Sequence, residues 1–208
     1  MLKMKIMKLI HCILLMIGLG VCNTAAAQTK QLACGDRIPA EAIKMRNANG
    51  ADASLKSQVD KNGLLVMFSC NTCPFVIKNQ QTTLQTIAYA RAHNFGVVII
   101  NSNDARRDGD DSYKEMVQYA KKQGYTVPYL VDEGAKVADE FGANHTPEIF
   151  LFNKEGILEY KGAMNDNPGD PAAAKQMFIT NAMDAVVAGK KPEPAETKSI
   201  GCSIKRKA

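Results

Sequence analysis

Apolar residues in this chain gather in short blocks separated by polar, turn-rich stretches. Leu64-Leu65-Val66-Met67-Phe68 is apolar at every position, as a strand covered on both faces should be. Val97-Val98-Ile99-Ile100 repeats the pattern. Between them Val76, Ile77, Leu84, Ile87 and Ala88 recur at helical spacing and predict a helix from Pro74 to about Ala92. Proline in a first turn lacks only an N–H that would have no partner there. Asp111 or Ser112 caps a further helix to about Gln123, which Gly124 ends. Val127 to Val131 is strand-like, and Lys136 to Phe141 is a short helix stopped by Gly142. Glu148 to Phe152 and Ile157 to Tyr160 form two strands around the turn Asn153-Lys154-Glu155-Gly156. Ala42 to Arg46 is a short strand, and Pro171 to Ala188 is the last helix. Strands alternate with helices first, and a hairpin and a helix come last. That order predicts an α/β fold, a mixed sheet with helices on both faces.

With 208 residues, 46% of them apolar, the chain can bury one sizeable core. The first 27 residues resemble a secretory signal. Lys3, Lys5 and Lys8 precede an apolar run from Leu9 to Val21, and Ala25-Ala26-Ala27 offers small residues for cleavage. The run is about 13 residues, short of the ~20 that span a bilayer. Cleavage after Ala27 makes Gln28 the first mature residue, and export places the chain in the periplasm or another extracytoplasmic space. Lipid attachment at Cys22 fits less well, because Val21 precedes it. The formal charge of +5 includes the three signal lysines; without them about +2 remains, too little to argue for nucleic acid. After Gly189 the sequence Lys190-Lys191-Pro192-Glu193-Pro194 reads as an extended tail, and Lys205-Arg206-Lys207 as its solvated basic end.

Export leaves four cysteines, Cys34, Cys70, Cys73 and Cys202, few for a disulfide scaffold in a domain this large. Cys70 and Cys73 stand three apart, where a buried strand gives way to a helix. A bridge between them closes too short a loop to stabilise anything. They can, however, close and reopen as a redox pair. A thiolate is the attacking species in disulfide exchange. Placed before a helix, Cys70 is expected to gain unpaired N–H groups and the positive dipole end. Cys73, one turn in, would then attack a mixed disulfide on Cys70. A C-x-x-C pair also serves zinc, but a zinc site needs two further ligands nearby, and Cys34 and Cys202 each stand alone. Cys202 is either an additional redox thiol or a staple to Cys34. His93, at a helix end, reads as a C-terminal capping cation.

Three segments carry a resemblance to a known family: Phe68-Ser69-Cys70-Asn71-Thr72-Cys73-Pro74, Ala143-Asn144-His145-Thr146-Pro147-Glu148 and Gly201-Cys202-Ser203-Ile204-Lys205. Together they resemble the exported thioredoxin-like thiol-disulfide oxidoreductases of the redoxin and alkyl-hydroperoxide-reductase-like branch, over about Gly35 to Lys205. The resemblance implies a thioredoxin-like fold over 28–190, between a signal peptide, 1–27, and a C-terminal tail, 191–208. It implies catalytic cysteines at Cys70 and Cys73, with Pro147 as a cis-proline facing them. Thr146 would then offer backbone groups to a substrate strand. No cofactor is implied. The partners implied are protein or small-molecule disulfides and thiols, and a reductase in an oxidising space needs electrons from a donor in the membrane.

The chain departs from thioredoxins proper. Ser69 stands where they have Trp, Asn71-Thr72 where they have Gly-Pro, and strand 64–68 carries no carboxylate. The proton-transfer partner is therefore unassigned, and Glu148 reads as a solvated charge. Two other functions compete. A copper carrier would use Cys70, Cys73 and His145, since two thiolates and an imidazole suit a soft metal. A peroxiredoxin would need Pro-x-x-x-Thr/Ser-x-x-Cys. Counting back from Cys73 meets Cys70 and Val66, and from Cys70 meets Met67 and Gly63, so neither cysteine fits.

Overall fold

The computed structural model describes residues 31–207. The signal-like segment 1–27 lies outside them. Six strands form one sheet: β1 (Arg46–Asn47), β2 (Gly63–Ser69), β3 (Phe95–Asn101), β4 (Tyr129–Val131), β6 (Glu148–Asn153) and β7 (Leu158–Gly162). Their spatial order is β1-β4-β3-β2-β6-β7. β2, β3 and β4 run parallel, while β1, β6 and β7 pair antiparallel with their neighbours. The helices are α1 (Pro74–Lys78), α2 (Gln80–Ala92), α3 (Tyr113–Gln123), α4 (Lys136–Phe141) and α5 (Phe178–Val187). A separate two-stranded pair joins β5 (His145–Thr146) to β8 (Cys202–Ser203). This is the mixed sheet that the alternation of strands and helices predicts.

The unbroken apolar run in β2 has its reason in two cores. Successive strand residues face opposite sides. Leu65 and Met67 pack with Ile87 of α2, Met116 of α3 and Ile179 and Met183 of α5. Leu64, Val66 and Phe68 pack on the other side with Val137, Ala138 and Phe141 of α4. Phe68, Phe141 and Phe150 meet edge to face at 5.1–5.7 Å between centroids, a preferred arrangement of aromatic rings.

Three elements differ from the sequence pattern. The expected helix 74–92 is interrupted at Asn79, whose side-chain amide donates to the carbonyls of Phe75 and Pro168, 2.8 Å each. That amide competes for a helix carbonyl and ties the break to a distant loop. The last helix starts at Phe178; residues Pro171–Ala173 make only a single 3-10 turn, and the Lys175 N–H turns to Asp166 Oδ1 at 2.9 Å. The strand expected at 42–46 reduces to Arg46–Asn47, beside β4.

The segment after Gly189 is extended but laid along the domain. Lys161 pairs with Glu196 at 3.2 Å, Ile204 is buried in the core beside α4, and Arg206 Nε donates to Asp139 at 2.7 Å. The Arg206 Nη2 also donates to the Ala143 carbonyl at 2.7 Å. The backbone and the arginine of the basic end are therefore docked, while the Lys205 and Lys207 side chains are exposed, as the sequence reading had the whole end. Its arginine finds both a carboxylate and a carbonyl on one neighbouring segment.

Candidate active site

β2 ends at Ser69, and the loop Cys70–Cys73 leads into α1. Cys73 is the N-cap of that helix and Pro74 its first residue. The Cys73 carbonyl accepts the Ile77 N–H at 3.0 Å. Opposite the loop, the Thr146–Pro147 peptide bond is cis. Thr146 Oγ1 lies 3.5 Å from Cys70 Sγ, and the Thr146 carbonyl oxygen lies 3.1 Å from Cys73 Sγ. The sequence-predicted residues Cys70, Cys73, Thr146 and Pro147 are thus brought to one place.

The two thiols share a hydrogen bond and do not ionise alike. Cys73 is pushed down to about 4, first by the bond from Cys70 and then, against burial, by bonds from Cys202 and the Val76 N–H. Cys70 is pushed up, first by that same bond and then by burial. The sequence reading expects Cys70 to be the ionised sulfur; the push on the two thiols runs the other way. α1 begins at Pro74, where the sequence places it, so Cys73 and not Cys70 is the residue at its N-terminus. When protonated, Cys73 can donate to the Thr146 carbonyl; when ionised, it accepts from Cys70 and Cys202.

Residues outside the predicted set complete the site. Asp111 is fully buried below the Cys70 loop; Ser112 takes the cap of α3, accepting the Glu115 N–H. Asp111 Oδ1 accepts the Asn71 N–H at 2.9 Å and the Asn101 Nδ2 at 2.7 Å, while Oδ2 accepts the Asn103 Nδ2 at 2.9 Å. Tyr129 Oη accepts from Asn101 at 3.0 Å and donates to Asn71 Oδ1 at 2.8 Å. Burial pushes the Tyr129 phenol up, so it keeps the proton it donates. A run of asparagines near a buried acid was the only sequence signal for this network.

Cys202 is the other such residue. β8 pairs antiparallel with β5, Cys202 opposite Thr146 and Ser203 opposite His145. Cys202 Sγ comes to 2.7 Å from Cys73 Sγ; a disulfide measures about 2.05 Å, and all four described cysteines are free thiols. Cys34 lies elsewhere, its sulfur 3.4 Å from the Ala195 carbonyl and 3.7 Å from that of Glu159.

The other candidates fall away from the thiols. His145 precedes Thr146 in β5 and so faces the opposite side, with Nδ1 3.2 Å from Ser199 Oγ. The copper set Cys70, Cys73 and His145 is not assembled. Among the described residues no group of three or more His, Cys, Asp or Glu side chains could hold a metal ion. Glu148 is buried, not solvated; it accepts the Asn144 and His145 N–H groups at 2.8 and 3.0 Å and so holds the loop before the cis-proline. His93 ends α2, its Nδ1 2.8 Å from the Tyr89 carbonyl oxygen.

Known proteins place this geometry. The family model described as Redoxin matches residues 33–177. An uncharacterized conserved protein of Geobacillus kaustophilus is similar at 30% identity and a TM-score of 0.77, over 86% of this chain and 94% of that one. A protein of Sinorhizobium meliloti is similar at 32% identity and 0.75, over 86% and 97%. The thioredoxin domain of a thiol-disulfide oxidoreductase from Bacteroides vulgatus shares the fold at 20% identity and 0.53, over 66% and 94%. No curated protein matches. With the family model covering more than half the sequence and two structures at or above 30% identity, the chain belongs to the redoxin family and has a thioredoxin-like fold.

Proposed function

We propose that this protein is a thiol-disulfide oxidoreductase that works through Cys70 and Cys73. One observation carries the reading: both cysteines meet Thr146 beside the cis peptide bond, Cys70 Sγ 3.5 Å from its hydroxyl and Cys73 Sγ 3.1 Å from its carbonyl oxygen, with their thiols pushed in opposite directions. A low-pKa sulfur is both the better-populated nucleophile and the better leaving group. Cys73 is therefore the exchanging sulfur. Its thiolate attacks one sulfur of a substrate disulfide and expels the other as a thiolate. Cys70 then attacks Cys73 Sγ, closes the internal disulfide and releases the second substrate thiol. The pair is oxidised by two electrons and the substrate reduced by two; the reverse sequence oxidises a dithiol. Thr146 and Pro147 shape the seat of a substrate strand, along the backbone edge of Thr146 that β8 occupies in this structure.

The substrates are disulfides and thiols of proteins or small molecules, and a membrane donor resupplies electrons if the direction is reductive. Export and cleavage after Ala27 rest on the cationic start, the apolar run and the three alanines; the N-terminus of protein recovered from the periplasm should be Gln28. Among the described residues no helix is long and apolar enough to cross a membrane.

Insulin reduction with dithiothreitol as electron source tests the activity. Wild type should accelerate it, Cys73→Ser should abolish it, and Cys70→Ser combined with Cys202→Ser should accumulate a mixed disulfide on Cys73. Wild-type protein that leaves insulin intact but consumes hydrogen peroxide rapidly would replace this function with a peroxidase.

A further inference from the structure

Cys70 and Cys73 are only 2% and 3% exposed. What closes over them is the chain's own C-terminal strand. β8 pairs with β5 along Thr146, the edge that a substrate strand would take. The seat is fitted to this segment. A Cβ on Gly201 would come within 2.1 Å of the Thr146 carbonyl oxygen, so only glycine lets the strand approach this closely. The Ile204 N–H donates to the Asn144 carbonyl at 2.9 Å, and its side chain is buried in the core. Lys205 exchanges two bonds with the loop after β3: its N–H to Asn103 Oδ1 at 2.9 Å, and its carbonyl from the Ala105 N–H at 2.8 Å. The register puts Cys202 opposite Thr146, its sulfur 2.7 Å from Cys73 and packed with Cys70, Cys73 and Val76. Cys202 is the half-buried member of the three, the one that solvent reaches.

We propose that Cys202 is a third redox thiol, carried by a built-in substrate strand, and that Cys73 passes its disulfide between Cys70 inside and Cys202 outside. The inference rests on the redox role of the Cys70–Cys73 pair. In the oxidised pair, Cys202 gives up its proton and its thiolate attacks Cys73 Sγ. The Cys73–Cys202 bond forms as the Cys70–Cys73 bond breaks, and Cys70 leaves as a thiolate and takes up the proton. No electrons are gained or lost. An external thiolate then attacks the accessible Cys202 sulfur and expels Cys73 as a thiolate. A second external thiol attacks the sulfur of the first and releases Cys202. Two external thiols have become a disulfide, and the protein has gained two electrons. The same steps run backwards against an external disulfide. The depressed ionisation of Cys73 makes it the sulfur that leaves, and so directs external attack to Cys202.

The test is disulfide mapping of the mature chain. Wild type, Cys70→Ser and Cys70→Ala are reduced, oxidised with diamide, blocked by alkylation and digested without reductant. Wild type should give Cys70–Cys73, and both variants should give peptides linking Cys73 to Cys202 in most of the protein. Moving the sulfur one residue along the strand, with Cys202→Ser and Ser203→Cys in the Cys70→Ser chain, turns it to the opposite face and should abolish the link. A Cys70→Ser and Cys70→Ala protein in which Cys73 and Cys202 are alkylated separately, or in which Cys202 joins Cys34, overturns the inference while leaving the Cys70–Cys73 function standing. A wild type that forms no Cys70–Cys73 bond overturns the function itself. A link that survives the shift to position 203 shows a mobile tail and also overturns the inference.

Discussion

Asp111 accepts the backbone N–H of Asn71 at 2.9 Å, inside the loop between the two cysteines. The carboxylate has no place in the C-x-x-C pattern, yet it fixes the loop's first peptide group and, through Asn101 and Asn103, the end of β3 and the residues after it. Asp111→Asn puts an amide N–H where one of these donors points. Hydrogen bonds to charged groups contribute about 1.5–3 kcal/mol each, so the variant should lose roughly that much, read from the urea midpoint at unchanged slope. Its carboxylate also adds, after the Cys73 hydrogen bond and burial, to the upward push on Cys70. The Cys70 thiol should therefore ionise more readily in Asp111→Asn, measured by alkylation rate against pH.

The ionisation of Cys73 gives a pH signature. Its folded value is about 4 against an ordinary 9.0. The unfolded chain thus holds a proton that the folded chain has lost between those values, and stability rises with pH across that window. The contribution is complete above the ordinary thiol value, shrinks as pH falls, and is gone below about 4. The difference in stability between reduced wild type and Cys73→Ser should follow that slope. One equivalent of thiolate ultraviolet absorbance should persist down to about pH 4 in wild type and vanish in Cys73→Ser. Cys70→Ala, which removes the largest stabilising donor, should move the transition upward.

How much of this was legible depended on the range of the interaction that decides it. Runs such as 64–68 and 97–100 announce burial on both faces by composition alone, and the structure supplies the two cores. Gly124 and Gly142 ended their helices where expected, at φ 67 and φ 62, because left-handed caps are a local property. The site resisted for the opposite reason. Which sulfur is pushed down depends on the contacts of Cys73 with Cys70 and Cys202, which the residues Asn71-Thr72 do not declare. Asp111 read as a helix cap because its three donors arrive from Asn71, Asn101 and Asn103. Cys202 read as part of a tail because its place is set by pairing with Thr146, 56 residues away, a register that no local pattern encodes.

Thr146 touches both thiols with different atoms. Its hydroxyl, 3.5 Å from Cys70, favours the Cys70 thiolate, while its carbonyl oxygen, 3.1 Å from Cys73, opposes charge there. Thr146→Val keeps the strand and its carbonyl and deletes the hydroxyl. If Cys70 resolves, removing that bond withdraws about 1 kcal/mol from its thiolate, a roughly fivefold slowing of the resolving step. Rapid acid quenching of the mixed disulfide should show a longer lifetime with its rate of formation little changed. Equal slowing of both steps would mean that the substitution had disturbed the groove and not the proton on Cys70.

The closest backbone approach at the site is Gly201 against Thr146, where a Cβ would overlap the carbonyl oxygen at 2.1 Å and its carbon at 2.7 Å. Neither atom belongs to a side chain that could turn aside, so Gly201→Val must lift β8 from β5. Ile204→Ala loosens the same segment from the other end, by emptying a seat in the core beside α4; such truncations cost about 2–5 kcal/mol where burial is complete. A lifted strand exposes Cys70 and Cys73, so both variants should raise the iodoacetamide reactivity of Cys73 severalfold. Trypsin should then cut at Lys205 and Arg206, whose backbone is held by Asn103 and Ala105 and whose guanidinium is held by Asp139. The pair should differ in the rest of the molecule. Ile204→Ala removes core contacts and should lower the melting temperature, whereas Gly201→Val disturbs only the strand and should leave the main transition near its wild-type value. Unchanged reactivity of Cys73 in Gly201→Val would mean that β8 does not cover the thiols in solution.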